Sequence, residues 1–123
     1  MKCEKLDVWK RSAAVSADIY LQLKELKDFG FKDQLTRSGL SVPSNIAEGL
    51  ERNSEQEKVR FLDIARASIA EAKTQIYIGM KIDYIPIEKG KNWISEYEII
   101  GKMITALINR IMNYKEEKIT DDH

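Results

Sequence analysis

Four polar residues recur at steps of four, four and three, which places them on one side of a helix: Arg37, Ser41, Asn45 and Glu48. A later helical segment offers partners in Arg66, Ser68 and Glu71. Such residues form either an internal hydrogen-bonded network between two helices or a contact site for a ligand or RNA. We favour the network, because the set contains both charge signs and buried charges must be paired. Its predicted members are Arg37, Ser41, Asn45, Glu48 and Glu71.

A second candidate group is basic and lies where the second and third predicted helices meet. Its members, Arg52, Lys58 and Arg60, are the candidate nucleic-acid contacts, because cationic side chains bind phosphates. Acidic residues interleave with them, and Glu57 stands at ion-pair spacing from Arg60. A solvated surface of mixed charge is therefore the alternative, and we favour it from the residues alone. Repetition of this patch around an oligomeric ring would multiply its field.

Residues for catalysis or metal binding are scarce. His123 is the only histidine and Cys3 the only cysteine, and each lies near a terminus. Helical bundles that bind two metal ions use Glu-x-x-His pairs, and the chain contains none. We therefore expect no catalytic residues, no metal site, no cofactor and no enzymatic activity.

The composition indicates one soluble helical domain. At 123 residues, with 43% hydrophobic and 33% charged residues, the chain can bury a single core. Its 20 basic and 20 acidic residues give no net charge to attract nucleic acid or an anionic membrane. No apolar run approaches the roughly 20 residues that span a membrane, and the first ten residues lack the apolar segment of a signal peptide. We expect a cytoplasmic protein.

Apolar residues at three- and four-residue steps predict four helices. The first covers about residues 5–27 and the second about 33–52. The third begins after Ser54 and ends near residue 83, and the fourth runs to about 115. The ordered core is thus about 5–115 of a single domain, followed by a polar tail at 116–123.

Capping residues set the predicted helix ends. Gly30 is a candidate left-handed stop for the first helix, and Asp33 is a candidate cap for the second. Ser54, with a glutamate three residues later, forms a capping box for the third helix. Pro86 fits the first position of the fourth helix.

Pro43 lies inside the second predicted helix. A proline there has no amide hydrogen for the carbonyl of Gly39, and its ring crowds that carbonyl. We favour a kinked helix over two short helices that meet at Val42 and Pro43. Because the connections are short, the predicted fold is all-α: an antiparallel up-down-up-down four-helix bundle with helix two kinked at Pro43.

The apolar residues outnumber what one four-helix core needs. One set of them includes several that fall outside the main apolar faces: Val8, Trp9, Val15, Tyr77, Tyr84, Trp93, Ile99 and Met112. Such residues are either individually half-buried or part of a contiguous subunit interface. We favour the interface.

Two neighbouring segments carry a resemblance to a known family: QLTRS at 34–38 and SVPSNIAEG at 41–49. FLDIARASIAE at 61–71 and EIIGKMI at 98–104 fit the same pattern. The chain resembles the bacterial four-helix-bundle family of 23S rRNA intervening-sequence proteins, or S23-type proteins, over roughly residues 6–114. That family is related to the accessory variability determinant of diversity-generating retroelements.

The resemblance implies a four-helix bundle that assembles as a homopentamer. Some members are encoded within intervening sequences of 23S rRNA genes, and the retroelement relatives bind RNA and a reverse transcriptase. The implied function is a non-enzymatic, nucleic-acid-associated accessory factor. Its implied partners are other copies of the chain and either RNA, DNA or a nucleic-acid-processing protein, with no membrane. The alternative is an oligomeric protein-interaction scaffold that binds no nucleic acid.

Overall fold

The computed structural model describes residues 6–121, and their side chains over 6–114. This part of the chain consists of four α-helices and contains no strand: α1 (Asp7–Gln22), α2 (Phe29–Leu50), α3 (Glu55–Lys81) and α4 (Ile87–Asp121). The all-α, four-helix prediction is confirmed. Helix α4 extends beyond the predicted end near 115, because residues 115–121 include good helix formers and neither proline nor glycine.

The start of α2 differs from the prediction. Gly30 is not a left-handed stop, since it lies inside the first turn of α2 with a negative φ. The N-cap is Asp28 rather than Asp33: one carboxylate oxygen of Asp28 accepts from the Phe31 amide at 3.1 Å. The other carboxylate oxygen of Asp28 accepts from the Tyr84 hydroxyl at 2.8 Å. A residue far along the chain therefore helps to fix this cap.

The starts of α3 and α4 agree more closely with the predictions from the sequence. The Ser54 hydroxyl caps α3 by accepting from the Glu57 amide at 3.1 Å, as predicted. Pro86 immediately precedes α4, and its carbonyl accepts from the Gly90 amide. Helix α2 is a single helix with Pro43 buried inside it, so the alternative of two short helices is wrong.

Each helix packs on the next one in the chain, and α4 also packs on α1. The fully buried side chains between them form one core: Ile19, Leu35, Val42, Ile46, Leu62, Ile76, Tyr97, Ile100 and Ile104. Three residues predicted for a subunit interface, Val8, Val15 and Trp93, belong to this core instead. Trp9 and Tyr84 are half-buried against it, whereas Tyr77, Ile99 and Met112 are exposed.

A polar contact joins α1 to α4. The Trp93 indole N–H donates to the Asp18 carboxylate at 2.7 Å, and the Lys89 ammonium lies 3.1 Å from the same oxygen. These groups, the indole first, hold the pKa of Asp18 below 3.8, against the opposing effect of burial. Because the folded pKa lies below the unfolded one, Asp18 stabilises the fold above pH 3.8 and loses this contribution as pH falls through the lowered value.

Asp18→Asn is expected to weaken the acid dependence of the melting temperature. The variant should melt below the wild type at neutral pH, and the difference should shrink as pH falls below 3.8. Circular dichroism melts across this range check it. Glu25→Gln, which makes the same charge change at an exposed turn residue, is the control. Parallel wild-type and Asp18→Asn curves would contradict the assignment.

Candidate nucleic-acid interface

Three of the polar residues singled out in the sequence meet between α2 and α3. The Asn45 amide donates to the Ser41 carbonyl and hydroxyl oxygens, both at 2.8 Å. The Ser68 hydroxyl donates to the Ser41 hydroxyl at 2.8 Å. One helical turn away, the Ser38 hydroxyl donates to Gln75 at 2.5 Å. These bonds form an uncharged contact that fixes how α2 meets α3.

The charged members of the predicted network lie outside this contact. Arg37 is 77% exposed and pairs with Asp33 at 3.0 Å, one turn back on the same helix. Glu48 pairs with Arg52, also one turn away. Glu71 is exposed on α3. Pairs at this spacing form along one helix, without a partner from another, so the structure does not bring Arg37, Glu48 or Glu71 into the α2–α3 contact.

Two of the three predicted nucleic-acid contacts, Arg52 and Arg60, lie around one aromatic ring, and the third, Lys58, is half-buried near the start of α3. The guanidinium groups of Arg52 and Arg60 approach the Phe61 ring, with their carbons 4.7 and 5.6 Å from its centroid. Each also forms an ion pair, Arg52 with Glu48 and Arg60 with Glu57. Two of the three predicted cations are thus neutralised locally by carboxylates. This favours a surface of mixed charge here.

Less balanced positive charge lies in the α3–α4 groove, a surface groove of about 530 Å³ between these two helices. Four charged residues line it: Arg66, Lys73, Glu98 and Lys102. Lys73 is half-buried and Lys102 exposed, and neither forms an ion pair with any residue in the described part of the chain. The two ammonium groups are therefore available to an external anion.

The rest of the groove lining consists of uncharged residues, two of which are buried. Ile69 and Tyr97 lie at its base. At Gly101, a Cβ atom would meet nothing within 4 Å, so this position leaves open space beside Lys102. Arg66 lies at one end, where its guanidinium donates to the Thr105 hydroxyl at 3.2 Å and pairs with Asp63.

From the sequence, Arg66 was a candidate partner in the polar network, and neither Lys73 nor Lys102 was singled out. The seven-residue step from Arg66 to Lys73 indicates one side of α3. Lys102 comes from the facing helix, however, and its position depends on the register between α3 and α4. Gly101, which precedes Lys102, was the sequence feature that could have indicated an open position there.

The described part of the chain offers no sign of a metal centre. No cluster of three or more histidine, cysteine or acidic side chains is close enough there to bind a metal ion. His123 and Cys3 lie outside the described residues. Among the helices over 6–121, none is long and apolar enough to cross a membrane.

Comparison with known proteins shows the family of the chain. The family model described as "23S rRNA-intervening sequence protein" matches residues 4–106, most of the chain. The chain belongs to the 23S rRNA-intervening sequence protein family. The resemblance predicted from the 34–49 motif is thereby confirmed.

A solved structure shares the fold of this 23S rRNA-intervening sequence protein. It is the crystal structure of a protein with unknown function from the S23 ribosomal protein family of Bacteroides thetaiotaomicron. The two chains are 26% identical and superpose with a TM-score of 0.77, which covers 82% of this chain and 97% of the other. None of the curated proteins matches the chain.

Proposed function

We propose that this family member is a non-enzymatic, homo-oligomeric accessory protein that binds nucleic acid through the α3–α4 groove. The observation that carries the proposal is the pair of ammonium groups, on Lys73 and Lys102, that face one groove without an ion-pair partner among the described residues. Phosphate contacts dominate nucleic-acid affinity and require such unbalanced positive charge. Arg66 extends the same groove by about two helical turns along α3.

The proposed arrangement is an antiparallel up-down-up-down bundle. Its support is that the α1–α2 and α3–α4 connections meet: Tyr84 bonds to Asp28, and its ring contacts Phe31 edge-on at a centroid distance of 5.3 Å. Alternating helix directions bring these two connections to the same end. We also expect the α2 axis to bend at Pro43, since the Gly39 carbonyl has no amide from that residue to accept.

Salt dependence of RNA binding tests the proposed function. Fluorescence anisotropy of a labelled RNA duplex, titrated with the full chain, should give an association constant that falls linearly on a log–log plot against salt. The expected slope is about −0.9 per phosphate contact if the duplex behaves like B-form DNA. Absence of binding at low salt would contradict the proposal, because phosphate contacts are strongest there.

Exposed apolar residues on α3 support the proposed homo-oligomer. The same residues favour the alternative function, which is a protein-interaction scaffold that binds no nucleic acid. Ile64 and Ile78 are both exposed and stand 14 residues apart, so they share one side of α3. Arg66, two residues after Ile64, projects elsewhere and lines the groove. This side of α3 therefore remains available for subunit contacts while the groove binds RNA. We propose a pentamer, which is the state that the family resemblance implies.

Ile64→Glu combined with Ile78→Glu is expected to shift the chain from oligomer to monomer, because burying two carboxylates in an apolar interface is strongly unfavourable. Size-exclusion chromatography with light scattering measures the mass. Asn92→Glu combined with Ser95→Glu places the same charges at exposed polar positions of α4 and should leave the oligomer intact. A wild-type chain that is monomeric at micromolar concentration would contradict the proposed assembly.

A further inference from the structure

A surface cleft of about 660 Å³ lies at the connection between α1 and α2, and we call it the α1–α2 cleft. Two aromatic and two basic side chains line it: Tyr20, Lys24, Phe29 and Lys32. Neither the α2–α3 polar contact nor the α3–α4 groove includes any of them. The cleft combines basic groups with exposed aromatic rings, whereas the aromatic residue of the α3–α4 groove lining, Tyr97, is fully buried.

The aromatic rings of the cleft are unusually open to solvent. Phe29, the first residue of α2, is 69% exposed, and Tyr20, near the end of α1, is 47% exposed. Gly30 follows Phe29, and a Cβ there would meet only the Asp28 carboxylate, at 3.7 Å. The absence of a side chain at this position leaves the approach to the phenyl ring open.

The basic groups are held close to the same ring. The Lys32 ammonium lies 4.9 Å from the centroid of Phe29 and donates to the Lys24 carbonyl at 3.3 Å. The Lys24 side chain is exposed. Asp33, the acidic residue of the lining, pairs with Arg37. Its charge is thus compensated from outside the cleft, and the two ammonium groups give the lining a positive balance.

We propose that the α1–α2 cleft binds an unpaired nucleotide of the RNA, with a base stacked on Phe29 and a neighbouring phosphate bound by Lys24 and Lys32. The proposal rests on the proposed function and adds to it a preference for single-stranded segments. Proteins that bind single strands combine aromatic stacking surfaces with a cationic track for the backbone. A paired base is held inside its duplex and cannot reach such a ring.

Loss of the Phe29 ring should weaken binding of unpaired RNA alone. The test compares a hairpin RNA carrying an eight-nucleotide loop with a fully paired duplex of the same stem. Phe29→Ala should bind the hairpin roughly 5- to 150-fold more weakly, the range for one stacked base, and should bind the duplex like the wild type. Phe29→Trp should retain hairpin affinity. Leu21→Ala, which removes a 71% exposed apolar side chain outside the cleft lining, is the matched control.

A second readout follows stacking directly. When 2-aminopurine is placed in the hairpin loop, the fluorescence of this base should fall when the wild type binds and should change little when Phe29→Ala binds. Circular dichroism and light scattering of the variant check that its fold and its oligomer are intact. If the wild type binds RNA but Phe29→Ala matches it on both probes, the inference fails and the groove proposal stands. The cleft would then suit an apolar peptide instead. If the wild type binds neither probe, the proposed function fails as well.

Discussion

Lys73→Gln combined with Lys102→Gln is expected to lower the affinity for an RNA duplex by roughly 50-fold at about 0.1 M salt. Each phosphate contact releases condensed counterions, which at this salt concentration is worth somewhat less than a factor of ten per contact. Loss of two contacts should also make the slope of the log–log salt plot shallower by about 1.8. Circular dichroism should remain unchanged, since neither ammonium group has an ion-pair partner among the described residues.

The control for this experiment removes the same charge elsewhere. Lys10 and Lys81 are exposed on α1 and at the end of α3, outside the groove lining. Lys10→Gln combined with Lys81→Gln should reduce affinity only slightly, through the general field of the protein. Equal losses in the two double variants would mean that binding follows net charge rather than the groove, and would contradict the site assignment.

Tyr97→Ala is expected to reduce the free energy of unfolding by about 3–5 kcal/mol, the range for removing a large buried aromatic ring. Tyr97 is fully buried at the centre of the core. Its hydroxyl has no hydrogen-bond partner among the residues that the structure describes and lies 3.4 Å from where a Cβ of Gly39 would stand. The ring therefore fills the space up to Gly39 on α2. The carbonyl of Gly39 receives no hydrogen bond from residue 43, because Pro43 has no N–H.

Tyr97→Phe separates the ring from its hydroxyl. Removing an unpaired buried hydroxyl should raise stability by about 1 kcal/mol or more. Burial raises the pKa of Tyr97 well above 10. The wild type should accordingly lose stability as pH rises past the unfolded value, where ionisation favours the unfolded chain, and Tyr97→Phe should lose less. Urea unfolding at neutral and alkaline pH measures both effects. A Tyr97→Phe protein less stable than the wild type would indicate that the hydroxyl has a partner.

Local pattern was enough to predict the helices and some of their ends. Apolar spacing gave four helices, and the Ser54 cap was readable because its acceptor and donor are three residues apart. The Asp28 cap is equally local, since Asp28 accepts from the Phe31 amide, but Asp33 was chosen in its place, and the bond from Tyr84 that also holds Asp28 comes from the distant α3–α4 connection. Trp93 was counted as surplus to the core, but it is buried there and its indole donates to Asp18 on another helix, a contact that spacing within one segment does not predict.

The candidate site was less predictable, for the same physical reason. Charges four residues apart pair along one helix, and the pairs of Arg37 with Asp33 and of Arg52 with Glu48 removed members from both predicted groups. The groove instead joins Lys73 and Lys102 across two helices. Which residues face each other there depends on helix register, which spacing within one segment does not encode.

Lysine reactivity with and without RNA tests the groove assignment most directly. The full chain is acetylated briefly at low salt, alone and with saturating RNA duplex, and modification at each lysine is quantified by mass spectrometry. The proposal predicts that bound duplex protects Lys73 and Lys102 several-fold while Lys10 and Lys81 react as before. Unchanged reactivity at Lys73 and Lys102 under conditions where the duplex is bound would contradict it.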